Sequence, residues 1–138
     1  MRMSLPRFLA CAALTLATAA AAQADSNPGA APWAGTWTNM NNTMHVRAGR
    51  CGNAMCGVVI WADGKTQAAA KNGKLIGTQV FRDFVQTSGN EWKGRVYVPA
   101  LDQMISGKIV LTDNDSITAS GCAFGFVGCQ TRHWKRIR

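Results

Sequence analysis

Past an N-terminal export signal, this chain carries four cysteines in two short-range pairs, and that spacing limits the fold more than any other feature. Cys51 and Cys56 flank a Gly-Asn turn, and Cys122 and Cys129 flank Ala-Phe-Gly-Phe-Val-Gly. Three pairings can be written. Local pairing, Cys51 with Cys56 and Cys122 with Cys129, is favoured because each pair can face across a hairpin at disulfide distance. A four-cysteine zinc site is the competing reading. Its ligand spacings would be looser than those of zinc knuckles, and an oxidising compartment favours bridges.

The export signal is read from Met1 to Ala24. Arg2 and Arg7 precede an uncharged, alanine-rich stretch from Phe8 to Ala22, and Ala22-Gln23-Ala24 places small residues where signal peptidase needs them. Cleavage before Asp25 removes the fifth cysteine, Cys11, and leaves an even count. The stretch is too short and too alanine-rich for a stable membrane anchor. Residues 25–32 read as a flexible leader and 33–138 as a single domain, located in the periplasm or secreted. Loss of Arg2 and Arg7 lowers the formal net charge from +8 to +6. A basic balance of this kind favours solubility and attraction to anionic surfaces. Outside the cytoplasm it does not imply nucleic acid.

Short extended segments follow one another, separated by turn signals. They start at Gly35-Thr36-Trp37-Thr38 and include Thr43 to Arg50, Met55 to Trp61, Leu75 to Phe84 and Glu91 to Val98. Ile105, Gly107, Ile109 and Leu111 share one face of the next segment, and Ile117, Ala119 and Gly121 continue that alternation. Cys122 to Cys129 reads as a tight hairpin and Gln130 to Ile137 as the closing strand. Thr66 to Lys71 is long enough only for a helical turn. Evenly spaced strands without helical periodicity predict an all-β fold. At this length the expected form is a small antiparallel barrel of about eight strands, with room for packed side chains or one small ligand.

The ordered motifs resemble a bacterial family of small exported proteins, domain of unknown function 2147. They are Gly35-x-Trp37, Cys51-Gly52-x-x-x-Cys56-Gly57, Val59-Ile60-Trp61, Asn72-Gly73-Lys74-x-Ile76-Gly77, Trp92-x-Gly94, Gly107-x-Ile109-x-Leu111, Gly121-Cys122, Cys129 and Trp134-x-Arg136. The resemblance spans about Trp33 to Ile137 and implies a small all-β exported domain with no established activity. Where family members tend to show a glycine and a tyrosine after the Pro99 turn, Asp102-Gln103-Met104 stands here. Gly35-x-Trp37 is also similar to the opening of lipocalin-like barrels, which set a basic residue of the last strand against that indole. Arg132 or Arg136 would supply it, closing the barrel end.

No catalytic constellation emerges. His45 falls on the more polar face of its run and His133 lies beside Arg132. Once the cysteines are assigned to bridges, neither histidine has partners for a metal. No nucleophile motif such as G-x-S-x-G occurs, and Asp113 and Asp115 lie in a turn without an EF-hand pattern. A non-catalytic protein without cofactor is therefore expected. Trp37, Trp61, Trp92 and Tyr97 are the candidates for lining or closing an interior that binds a small apolar or amphipathic ligand. Phe124 and Phe126, in the cysteine-flanked loop, are the candidates for contact with an envelope protein or an anionic surface. That second reading makes the chain an interaction module with a filled core.

Overall fold

A computed structural model describes residues 33–137. The export signal (1–24) and the leader (25–32) lie outside the described residues. Eight strands form a closed antiparallel barrel in sequence order: β1 (Gly35–Asn39), β2 (Met44–Cys51), β3 (Ala54–Ala62), β4 (Gln79–Ser88), β5 (Glu91–Val98), β6 (Gln103–Asp113), β7 (Ser116–Phe124) and β8 (Val127–Arg136). β1 pairs with β8, so the ladder leaves no free edge for another chain to extend. One short helix, α1 (Gly64–Ala68), interrupts the β3–β4 connection. The Asp63 carboxylate accepts from the Thr66 amide at 2.7 Å and caps α1, and hydrogen bonds from the Thr66 hydroxyl and then its amide hold that carboxyl below its ordinary pKa.

The interior follows the alternation read from sequence on β6 and β7, where Ile109 faces Ala119 and Leu111 faces Ile117. Elsewhere, irregularities change the count. Asp83 takes a left-handed φ of 55° at a register shift between Arg82 and Val85. The extra residue turns both Phe81 and Phe84 into the core, where strict alternation would admit only one. The extended run expected from Leu75 becomes strand only at Gln79. Gly77 adopts a φ of 88°, and residues 75–78 form a turn instead.

An edge-to-face aromatic column fills the lower barrel. Trp92 meets Trp33, Trp33 meets Phe84, Phe84 meets Phe81, and Phe81 meets Trp134, with centroids 5.8–6.2 Å apart. Such pairs add stability beyond the area they bury. The column fits because β5 offers no side chain at Gly94, where a Cβ would come within 2.8 Å of the Phe84 ring. This end is the closed one. Trp33 seals it and accepts the Trp37 indole N–H on its carbonyl at 2.7 Å. The Arg136 guanidinium lies 4.4 Å from the Trp37 ring centroid.

Disulfides join Cys51 to Cys56 and Cys122 to Cys129, as local pairing requires. The first staples the β2–β3 hairpin at the closed end. The second crosses directly between β7 and β8 near the opposite end. Charged residues such as Arg47, Lys93 and Arg95 point away from the interior, so the outer wall is that of a water-facing barrel.

Candidate functional site

The functional candidate is a cavity of about 390 Å³ at the open end, above the Phe81–Trp134 floor. Its existence follows from small residues. Ala119, Gly121 and Ala123 on β7 and Gly128 on β8 all border it, so β7 contributes almost no side-chain volume there. Cys122 and Cys129 oppose each other on the alternate face, so the bridge braces this thin wall without occupying the interior. Met44, Phe81, Val96 and Ile105 supply the apolar walls, and Pro99 and Leu101 of the β5–β6 turn stand at the rim.

Polar groups are few. Gln130 and Arg132 border the cavity from β8, and the Arg132 guanidinium donates to the Gln130 side-chain oxygen at 2.5 Å. Tyr97 also borders it. The phenol donates to Asp102 Oδ1 at 2.5 Å and accepts from Asn72 Nδ2 at 3.0 Å, with the Arg82 guanidinium 5.9 Å from its ring centroid. The hydrogen bond to Asp102, followed by desolvation, raises the Tyr97 pKa above its ordinary 10.0. The phenol therefore stays neutral and ties the β5–β6 turn to the segment after α1.

The four aromatics proposed from sequence separate in space. Trp37 and Trp92 are buried in the closed-end core and do not border the cavity. Tyr97 borders it at the rim. Trp61 is 41% exposed on the outer wall, stacked on His45 with centroids 4.6 Å apart. Its direction comes from a bulge. Val46 opposes Val59, but His45 opposes Trp61, so Ile60 is unpaired and Trp61 turns outward. His45 also contacts Asn42 Oδ1 at 2.7 Å. Of the two arginines, Arg136 lies over Trp37, whereas Arg132 stands at the cavity. Phe124 and Phe126 sit at the hairpin tip, 74% and 101% exposed. Sequence reading missed Met44, Phe81, Val96, Ile105 and Gln130 as cavity walls. The run of alanine and glycine at alternate positions, Ala119, Gly121 and Ala123, was the available signal for where the interior stays open.

Among the described residues, no three His, Cys, Asp or Glu side chains group as metal ligands. Among curated proteins, none matches the chain. One similar solved structure is a protein from the human pathogen Helicobacter pylori, described as belonging to the lipocalin family. The match has a TM-score of 0.57 at 14% identity and covers 76% of this chain and 82% of that one. Likeness at that identity speaks for the fold, and the fold here is lipocalin-like. Two disulfides in a small bacterial domain indicate an oxidising environment. Residues 35–136 match the family described as "Uncharacterized protein conserved in bacteria (DUF2147)", and the chain belongs to that family.

Proposed function

We propose that this is an exported, periplasmic, non-catalytic carrier that holds one small apolar or amphipathic molecule in the open-end cavity. The observation that carries the proposal is the cavity itself, about 390 Å³ with mostly apolar walls and only a few polar groups. Ligand sites are commonly concave, largely apolar and oriented by few polar groups, in the range of roughly 300–1,000 Å³. A Gln130–Arg132 pair beside apolar walls suits a molecule with an apolar body and a polar end. The lipocalin-like neighbour supports the fold on which such a site would stand. Catalysis draws no support from the titratable groups at the rim, since Tyr97 and Asp102 are spent on each other. The interaction module with a filled core is supported less, because the aromatic column fills the closed end alone.

Native mass spectrometry of the exported protein, purified without detergent, tests this reading. The expected spectrum shows a reproducible non-covalent adduct that disappears on denaturation. A bare mass, together with no uptake of a fatty acid or a fluorescent apolar probe, would refute it.

A further inference from the structure

The β7–β8 turn is built to keep apolar groups in water. Phe124 opposes Val127, leaving Gly125-Phe126 as a two-residue turn. Gly125 has a φ of 67°, which a side chain would resist and which a tight hairpin turn of this kind demands. The Cys122–Cys129 bridge ties the two strands together two residues before Phe124 and two after Val127. Phe124, Phe126 and Val127 are 74%, 101% and 68% exposed. Leu101 and Met40, at 47% and 56%, occupy the β5–β6 and β1–β2 turns at the same end of the barrel. Several large apolar side chains exposed at one end of a small barrel mark a contact surface.

The open end is cationic as well as apolar. The ion pairs of the described residues join Arg95 to Asp83, Lys93 and Lys108 to Glu91, and Arg136 to Asp115, all on the wall or towards the closed end. The open end carries Lys65, Lys71 and Lys74 in the β3–β4 connection and Arg132 at the cavity. Asp63 and Asp102 at this end accept from the Thr66 amide and the Tyr97 phenol and keep their charge, so the four cations outnumber the carboxylates two to one. We propose that the open end of the barrel docks on an anionic phospholipid surface, with the Phe124–Val127 tip inserted at the headgroup boundary and the lysines against the phosphates.

A lipid surface fits better than a protein groove. A stable protein contact buries roughly 800 Å² on each partner and uses anchors with polar handles, such as Tyr, Trp and Arg. Two phenylalanines and a valine offer neither that area nor those handles. Strand addition is unavailable because the barrel is closed. Shallow insertion of a few apolar side chains, assisted by cations, is how peripheral proteins bind anionic membranes. The Phe124–Val127 tip and the three lysines lie outside the cavity lining, so the docking stands whether or not the cavity is loaded.

The test is co-sedimentation of the oxidised, exported chain with vesicles of phosphatidylcholine alone or mixed with phosphatidylglycerol. Selective binding to the anionic vesicles is expected. The F124S/F126S variant should lose roughly tenfold or more in partitioning, the order set by withdrawing two phenyl rings from an apolar phase. K65Q/K71Q should lose several-fold, and raised salt should have the same effect. All four positions are exposed, so unchanged thermal melts will show that these variants keep the fold. Equal binding to both vesicle types, or undiminished binding by F124S/F126S, would overturn the proposal. So would indifference to vesicles combined with Phe126-dependent retention of an envelope protein.

Discussion

Replacing Arg136 with alanine tests whether the closed end is held by one side chain. Its guanidinium donates to the carbonyl oxygen of Ala34 and, at 2.9 Å, to that of Asn114. It also lies 4.4 Å from the Trp37 ring centroid and pairs with Asp115 at 3.4 Å. The Asp115 pairing contributes little, because that side chain is 77% exposed. Each charged donor to a backbone carbonyl is worth about 1–1.5 kcal/mol at this partial exposure, and the cation–π contact about 1 kcal/mol. Arg136→Ala should therefore destabilise by about 3 kcal/mol, a large share of the stability of a domain this small. With a urea m-value near 1.5 kcal/mol/M, the unfolding midpoint falls by about 2 M with the disulfides intact. Arg136→Lys keeps the charge but loses the fork, and about half the loss should remain. Arg132→Ala, at an exposed site, should stay within about 0.5 kcal/mol of the parent. An Arg136→Ala midpoint indistinguishable from that of Arg132→Ala would refute the closure argument.

Three further perturbations address the open end. Tyr97 is the only tyrosine, so tyrosinate absorbance reports it directly. Its midpoint should lie above 10.0 and fall in Asp102→Asn. Because folding favours the protonated phenol, the stability it adds is whole below pH 10.0 and is lost as pH rises through the elevated folded value. Replacing Cys122 and Cys129 together with serine opens a loop of sequence separation 7, which loop-closure entropy places at about 2.5 kcal/mol. Hydrogen exchange should then quicken across residues 120–131 while the Trp33–Trp37 end keeps its protection. Ala119→Phe puts a phenyl ring into the cavity from a buried position and should abolish the ligand adduct in native mass spectra. An adduct of undiminished intensity would place the ligand elsewhere.

Much of the barrel was legible in the sequence because its determinants are local. Both cysteine pairs close hairpins, and the period of two on β6 and β7 identifies the inward face without knowledge of partners. The site was less legible because inwardness elsewhere is decided by bulges. Counting by twos from Val59 brings Trp61 inside, and the unpaired Ile60 sends it out. Counting from Phe81 leaves Phe84 outside, and the left-handed Asp83 brings it in. Neither Ile60 nor Asp83 carries a glycine-like signal for its irregularity. The choice between Arg132 and Arg136 was likewise a matter of register. The two lie on one face of β8, and only the pairing of Trp37 with Arg136 decides which reaches the indole.

The distribution of side-chain volume along the axis explains why one end is sealed and the other open. β8 supplies both, since Arg136 and Trp134 fall on the stretch backed by the aromatic column, and Arg132, Gln130 and Gly128 on the stretch facing Ala119, Gly121 and Ala123. A thin wall of alanine and glycine has little side-chain packing to resist collapse, and hydrophobic surfaces left facing each other would tend to close. The opposing device is the Cys122–Cys129 bridge, placed on the outer face where it restrains the hairpin without filling the interior. On this argument the second disulfide maintains cavity shape as well as stability. Its removal should weaken ligand retention before the closed end unfolds. Warming the C122S/C129S variant, in which Cys51–Cys56 stays intact, while following the native-state adduct and near-ultraviolet tryptophan circular dichroism together would separate the two events, and their coincidence would show that the bridge serves global stability alone.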